Sequence, residues 1–149
     1  MYEVLLIVHI VAAMIWVGGG IYSLLEDSRV RQGGERLEMV LEHSDWTGTR
    51  VFGPAAVVTV LAGIGMVVSN NAWAFSHTWI WLAIVLFAVS LAIGAGFYGP
   101  IYARIRALNG DGGDAEALAA VRRRLAIVSR IDATLLIAIV ILMVTKPGA

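Results

Sequence analysis

Four long apolar segments dominate this sequence of 149 residues, at about 4–25, 51–69, 79–98 and 127–146. An α-helix needs about 20 apolar residues to cross the hydrocarbon core of a bilayer. Helices satisfy all their backbone hydrogen bonds internally, as a bilayer requires. The segments therefore predict an all-α fold, an up-down four-helix bundle that crosses the membrane and forms a single domain.

Local signals predict where the helices begin and end. Pro54 lies where a proline is tolerated, near a predicted helix start, and Gly99-Pro100 predicts a stop or a kink after the third segment. Asp114 is a predicted N-cap for a helix that runs from Ala115 to about residue 146. The connection over residues 26–49 is predicted to be a short amphipathic helix or an extension of the first segment.

Composition and charge exclude several classes of protein. Hydrophobic residues make up 59% of the chain and charged residues 15%. The 11 basic and 11 acidic residues balance, so the chain lacks the basic field of a nucleic-acid-binding protein. It contains no cysteine, which excludes disulfides, iron–sulfur clusters and thiol nucleophiles.

The basic residues predict the orientation. Every arginine lies between the first and second segments, between the third and fourth, or, as Arg130, at the start of the fourth, whereas the lysine, Lys146, lies near the C-terminus. The positive-inside rule therefore places both long connections in the cytoplasm and both termini outside. The expected location is a bacterial plasma membrane, with the lipid bilayer as the principal partner. Arg122, Arg123 and Arg124 are interpreted as a lipid-facing or solvated basic cluster.

One face of the first segment carries a histidine among small residues. Steps of three or four residues place these side chains together: His9, Ala12, Ala13, Trp16, Gly19 and Gly20. Small residues allow a second helix to approach closely. His9 is then expected to face the bundle, either as a hydrogen-bonded neutral histidine or as a haem ligand, metal ligand or proton carrier.

Further candidate ligands lie in the predicted outer half. Met66, Met143 and His77 fall near the outer ends of their segments. A His/His or His/Met pair suits a b-type haem iron, and the same ligands suit Cu(I). Packing is the competing interpretation for the methionines and for Trp16, and membership of the interfacial aromatic belt is the competing one for His77.

Three ionisable residues open the second and fourth segments at the predicted cytoplasmic side. Arg50 precedes the second segment, and Arg130 and Asp132 lie in the first turns of the fourth. Antiparallel neighbours would allow an ion pair or a lipid or proton site there. The alternative is that the arginines reach the lipid headgroups while Asp132 lies at the water boundary.

Several short motifs together resemble an uncharacterised, DUF2269-like family of predicted integral membrane proteins. The motifs are His9 with Trp16-Val17-Gly18-Gly19, Arg50-Val51-Phe52-Gly53-Pro54, Thr59 with Gly63, Trp73-Ala74-Phe75 with Trp79, and Arg130-Ile131-Asp132 before Lys146-Pro147. More distantly, the chain resembles the copper-resistance protein D membrane domain and the haem-containing membrane protoporphyrinogen oxidase. Those relatives imply a haem b ligand at His9. The oxidases also use a lysine in a later span as a second functional residue, and the only lysine here is Lys146 at the far end of the fourth segment.

These observations leave three functions open. The first is a b-type haem protein with an electron-transfer or haem-linked redox role, with His9 as axial ligand and His77, Met66 and Trp16 as further candidates at the cofactor. The second is a non-catalytic accessory subunit of a larger membrane complex or a homo-oligomer. The third is a transporter of copper or a small solute. No pattern of residues indicates a particular enzyme activity.

Overall fold

A computed structural model describes residues 1–32, 37–70, 73–109 and 114–148. These residues form helices joined by short turns. The α-helices are α1 (Tyr2–Gln32), α2 (Leu37–Thr47), α3 (Gly53–Ser69), α4 (Thr78–Ile93), α5 (Gly99–Leu108) and α6 (Ala115–Thr145). The predicted all-α fold is confirmed.

Two π-helical segments join four of these helices into two long rods. Gly48–Phe52 connects α2 to α3, and Gly94–Tyr98 connects α4 to α5. Together with α1 and α6 they provide, within the described residues, four helices long and apolar enough to cross a membrane. The four predicted spans are therefore confirmed, and all four helices extend further toward the arginine-rich end of the bundle, where α1 ends and α6 begins.

The helix start predicted near Pro54 is confirmed for α3, whereas the stop predicted at Gly99-Pro100 is wrong, because α5 begins there. Neither proline ends the long rod in which it lies. The rod around Pro54 has already begun at Leu37, and the rod around Pro100 continues to Leu108. A proline inside an α-helix loses a hydrogen bond and collides with the carbonyl four residues earlier. Here each proline follows a π-helical segment, in which bonding reaches one residue further back: the Gly53 N–H donates to the Gly48 carbonyl. The wider turn accommodates the proline, so the helix continues.

The predicted boundaries of α6 are confirmed. The Asp114 carboxylate accepts hydrogen bonds from the backbone N–H groups of Glu116, at 2.9 Å, and Ala117, at 3.1 Å. It therefore satisfies donors that the first turn of a helix leaves unpaired. At the other end, Lys146 adopts a left-handed conformation with φ of 43° and terminates the helix.

The rods pack around α6, which is the most buried of the four. The closest pairs are α1 with α3, α1 with α6, and α4 with α6. The face predicted for α1 is the one that packs: Gly19 lies against Phe52, and Gly20 lies against Leu136. The small residues permit these close approaches.

Two apolar clusters form the core. The inner cluster, named for the arginine-rich end that is predicted to face the cytoplasm, joins α2, α5 and α6 through Leu37, Leu41, Ile101, Tyr102, Ile105 and Leu125. The outer cluster, at the opposite end, joins α4 and α6 through Trp79, Ile80, Ala83 and Leu142. Large apolar side chains also cover the outside of the rods, as on α1 at Val4, Ile7, Val11 and Met14. These exposed side chains suit contact with lipid.

Candidate functional site

The His9 imidazole lies between α1 and α3. Its Nδ1 is 2.7 Å from the backbone carbonyl oxygen of Thr59. A carbonyl oxygen only accepts hydrogen bonds, so Nδ1 carries the proton and donates. In the neutral ring, Nε2 then keeps its lone pair. The bond fixes both the orientation of the ring and the nitrogen that is free to bind a metal.

A glycine on α3 makes room for this imidazole. A Cβ placed on Gly63 would lie 3.3 Å from both Cε1 and Nδ1 of His9. Gly63 is one turn beyond Thr59, and a larger side chain there would crowd the ring that reaches the Thr59 carbonyl. The Thr59 hydroxyl does not compete for His9, because it donates to the Ala55 carbonyl at 2.8 Å. His9, Thr59 and Gly63 form what we call the imidazole site.

His77 lies in the turn before α4, at the outer end. Its Nδ1 is 3.0 Å from the backbone nitrogen of Ala74 and 2.9 Å from the Ala74 oxygen. The ring meets Trp73 edge to face, and the Lys146 ammonium lies over the rings of Trp73, at 4.7 Å, and Trp79, at 5.7 Å. Such a group of amphipathic side chains is typical of a membrane interface.

The other candidates for the cofactor site lie in packed regions. Met143 packs against the outer cluster. Trp16 packs on Phe87 of α4, with ring centroids 4.8 Å apart. Met66 is half-buried on α3. In the part of the chain that the structure describes, no hydrogen bond or ring contact joins His9 to His77 or Trp16.

A buried carboxylate forms a second polar site. The Asp132 side chain on α6 is only 8% exposed. It accepts a hydrogen bond of 2.6 Å from the Ser90 hydroxyl of α4 and a longer one, of 3.5 Å, from the Tyr98 hydroxyl. Ser90 is itself 4% exposed. Hydroxyl donors from a neighbouring rod therefore satisfy this carboxylate.

The structure does not bring the predicted ion-pair residues together. Arg50 and Arg130 are exposed, and among the described side chains neither pairs with Asp132. Arg130 and Asp132 differ by two positions, which separates them by about 200° around a helix with 3.6 residues per turn. They therefore lie on opposite faces of α6, with the carboxylate inside and the guanidinium outside.

Sequence reasoning missed the hydroxyl donors and a second buried acid. Ser90 is the one strongly polar residue in the stretch 79–97, a signal that would have identified it. Glu26, the first residue of the predicted connection, is 4% exposed within the span Tyr2–Glu26. Because its burial depends on neighbouring helices, the periodicity of the sequence does not indicate it.

Across residues 1–32, 37–70, 73–109 and 114–148, no group of three or more histidine or acidic side chains is arranged to hold a metal ion. The arrangement that is present offers one oriented imidazole at one level of the bundle and one hydroxyl-bonded carboxylate at another. Chemically, the first suits a single axial bond to a metal and the second suits a proton or a cation.

Comparison with known proteins identifies the family. The profile of the family described as "Predicted integral membrane protein (DUF2269)" matches residues 3–147, nearly the whole chain, and the chain belongs to this family. No curated protein and no solved structure matches it.

Proposed function

We propose that this member of an integral membrane protein family is a small b-type haem protein of the bacterial plasma membrane, in which His9 supplies one axial nitrogen. The observation that carries the proposal is the hydrogen bond from His9 Nδ1 to the Thr59 carbonyl. Histidines that ligate metals almost always donate their other ring N–H to a carbonyl or a carboxylate, which fixes the tautomer and the ring orientation. His9 has this second partner in place.

The residues present fit one axial ligand. The ring is half-buried between two helices, on the face of α1 that packs inward. The distant resemblance to the copper-resistance protein D domain and to the membrane protoporphyrinogen oxidase supports the same residue, because those proteins imply a haem-ligating histidine near the outer end of the first span. When bound, haem would supply a one-electron redox centre, with a role in electron transfer or haem-linked redox chemistry.

The surrounding side chains orient His9 and limit the approach of water. Thr59 accepts the Nδ1 proton, and Gly63 sets the distance between α1 and α3. The Trp16–Phe87 pair packs two turns further along α1. His77 and Met66, at the outer end, remain the candidates for a second ligand; the His77 ring is held by Ala74 in the turn that leads into α4.

The test is an absorption spectrum of the protein purified in detergent, recorded before and after addition of hemin. The proposal expects a Soret band that is lost in His9→Ala and kept in the control His43→Ala, because His43 is exposed on α2 at the arginine-rich end. A colourless protein that also fails to bind hemin would refute haem binding. A His9→Ala variant with full haem content would refute the ligand assignment. Co-purification with defined partners and no haem would instead favour the accessory-subunit function.

A second candidate function is transport, and the buried Asp132 favours it. A carboxylate inside a spanning helix is costly to maintain and commonly marks a path for protons or cations. We infer a role in carrying a proton or a cationic solute such as copper, with Ser90 as the positioning donor. Reconstituted vesicles measure the flux: Asp132→Asn is expected to abolish it, whereas Glu38→Gln, which changes an exposed acid at the start of α2, is expected to leave it unchanged. Equal flux in both variants and in empty vesicles would exclude this function.

A further inference from the structure

A groove of about 650 Å³ runs between α5 and α6 at the arginine-rich end of the bundle. Its apolar wall is formed by Phe97, Pro100, Ile101 and Val121, and two arginines, Arg104 and Arg124, stand beside it. We call this the α5/α6 groove. It is remote from the imidazole site, which lies between α1 and α3 near the other end.

The two arginines keep their positive charge free for a ligand. The guanidinium of Arg124 lies over the Phe97 ring, 5.6 Å from its centroid, which holds it at the groove. The neighbouring Arg106 is neutralised by Glu38, at 3.6 Å, on a different face of α5. Among the described side chains, no carboxylate pairs with Arg104 or Arg124. The groove therefore combines an apolar wall with two cations that no carboxylate within the described side chains neutralises.

The position of the groove along the rods matches the lipid headgroups. At 1.5 Å per residue, Arg124 lies about 31 Å from Thr145 along α6, and Arg104 lies about 39 Å from Thr78 along α4 and α5. The hydrocarbon core is about 30 Å thick, and about 40–45 Å when the headgroup regions are included. With Thr78 and Thr145 taken as the opposite edge of the hydrocarbon, Arg124 lies at its near edge and Arg104 in the headgroup region, where phosphate groups lie.

We propose that the α5/α6 groove binds an anionic phospholipid, with its phosphate between Arg104 and Arg124 and an acyl chain that leads along Ile101 and Phe97 toward the hydrocarbon. Arginine pairs well with phosphate through parallel N–H···O bonds. Basic pockets between membrane helices are known to hold anionic headgroups. A soluble phosphate would use the arginines but leave the apolar wall unoccupied, so the chemistry of the whole groove favours a lipid.

Native mass spectrometry of the protein in mixed micelles tests the proposal by comparing retention of phosphatidylglycerol with that of phosphatidylcholine. The double variant Arg104→Gln/Arg124→Gln is expected to lower the preference for phosphatidylglycerol by roughly 30-fold. This factor corresponds to about 1 kcal/mol for each of the two basic residues near an anionic lipid surface. The control Arg106→Gln removes a charge from a different face of α5, where Glu38 pairs with it, and is expected to change the preference less than about twofold for the charge removed. An equal loss in both variants, or no loss in either, would overturn the proposal.

Two further arms distinguish a lipid in the groove from a soluble anion and from lipid bound elsewhere on the protein. Glycerol 3-phosphate carries the phosphate without the acyl chains; if it displaces phosphatidylglycerol at equal concentration, the site binds a soluble anion and the lipid assignment fails. Gly96→Trp fills the groove without changing charge, and a Cβ at Gly96 meets no atom within 4 Å. Gly94→Trp is its control, since Gly94 has the same open surroundings but does not line the groove. Equal lipid retention in these two variants would also refute the site.

Discussion

Gly63 sets the geometry of the imidazole site, and enlarging it offers a graded perturbation. In Gly63→Ala the new Cβ would lie 3.3 Å from His9 Cε1 and Nδ1, so the ring must retreat by a few tenths of an ångström. The hydrogen bond to Thr59, now 2.7 Å, would lengthen to about 3.0 Å and survive, since bonds up to about 3.2 Å are normal. Alanine also gains about 1 kcal/mol in helix propensity. We expect Gly63→Ala to change the free energy of unfolding by less than about 1 kcal/mol.

Gly63→Val is expected to behave differently, because its two γ-carbons leave no place for the ring. Loss of the hydrogen bond costs about 1 kcal/mol and overpacking of the helix contact costs about 1–3 kcal/mol. The expected net loss is about 2–4 kcal/mol, and haem content falls with it. The matched control is Gly18→Val on α1, since a Cβ at Gly18 meets no atom within 4 Å.

Unfolding by titration with sodium dodecyl sulfate in mixed micelles, followed by circular dichroism, measures these differences. The decisive comparison is a double-mutant cycle with His9→Ala, which removes the ring that valine displaces. In the His9→Ala background, Gly63→Val should cost less than about 1 kcal/mol because little remains for it to collide with. If the valine substitution costs the same with and without the imidazole, the contact between His9 and Gly63 does not control this site and the reasoning fails.

Three further substitutions test the rest of the structure by the same unfolding assay. Ser90→Ala removes the 2.6 Å hydrogen bond to Asp132 and should cost about 1–3 kcal/mol, with partial recovery in Ser90→Thr; no loss would show that the carboxylate does not depend on this donor. Asp114→Ala removes the N-cap of α6 and should cost about 1 kcal/mol, whereas Asp114→Asn should preserve most of it. Trp16→Ala removes the tilted ring contact with Phe87 from a half-buried position and should cost about 1–3 kcal/mol; a value near zero would contradict a packing role for this ring pair.

The local features of this protein could be predicted from the sequence because each depends on residues close together in the chain. The four apolar helices follow from length and hydropathy. The cap at Asp114 depends on two residues that follow it, and the packing face of α1 depends on steps of three and four residues. The stop predicted at Gly99-Pro100 is wrong because the proline follows a π-helical segment, and no local sequence pattern marks such a segment.

Only the tertiary structure could place the partners of His9 and Asp132. Thr59 lies 50 residues from His9, and Ser90 lies 42 residues from Asp132. Which side chains meet across two helices depends on how each helix is rotated and shifted against its neighbour. In a bilayer both the interior of the bundle and its surroundings are apolar, so hydropathy does not distinguish the buried face of a helix from the lipid-facing one. Close packing at glycines and the satisfaction of a few polar groups decide that rotation, and these act only once the helices are in contact.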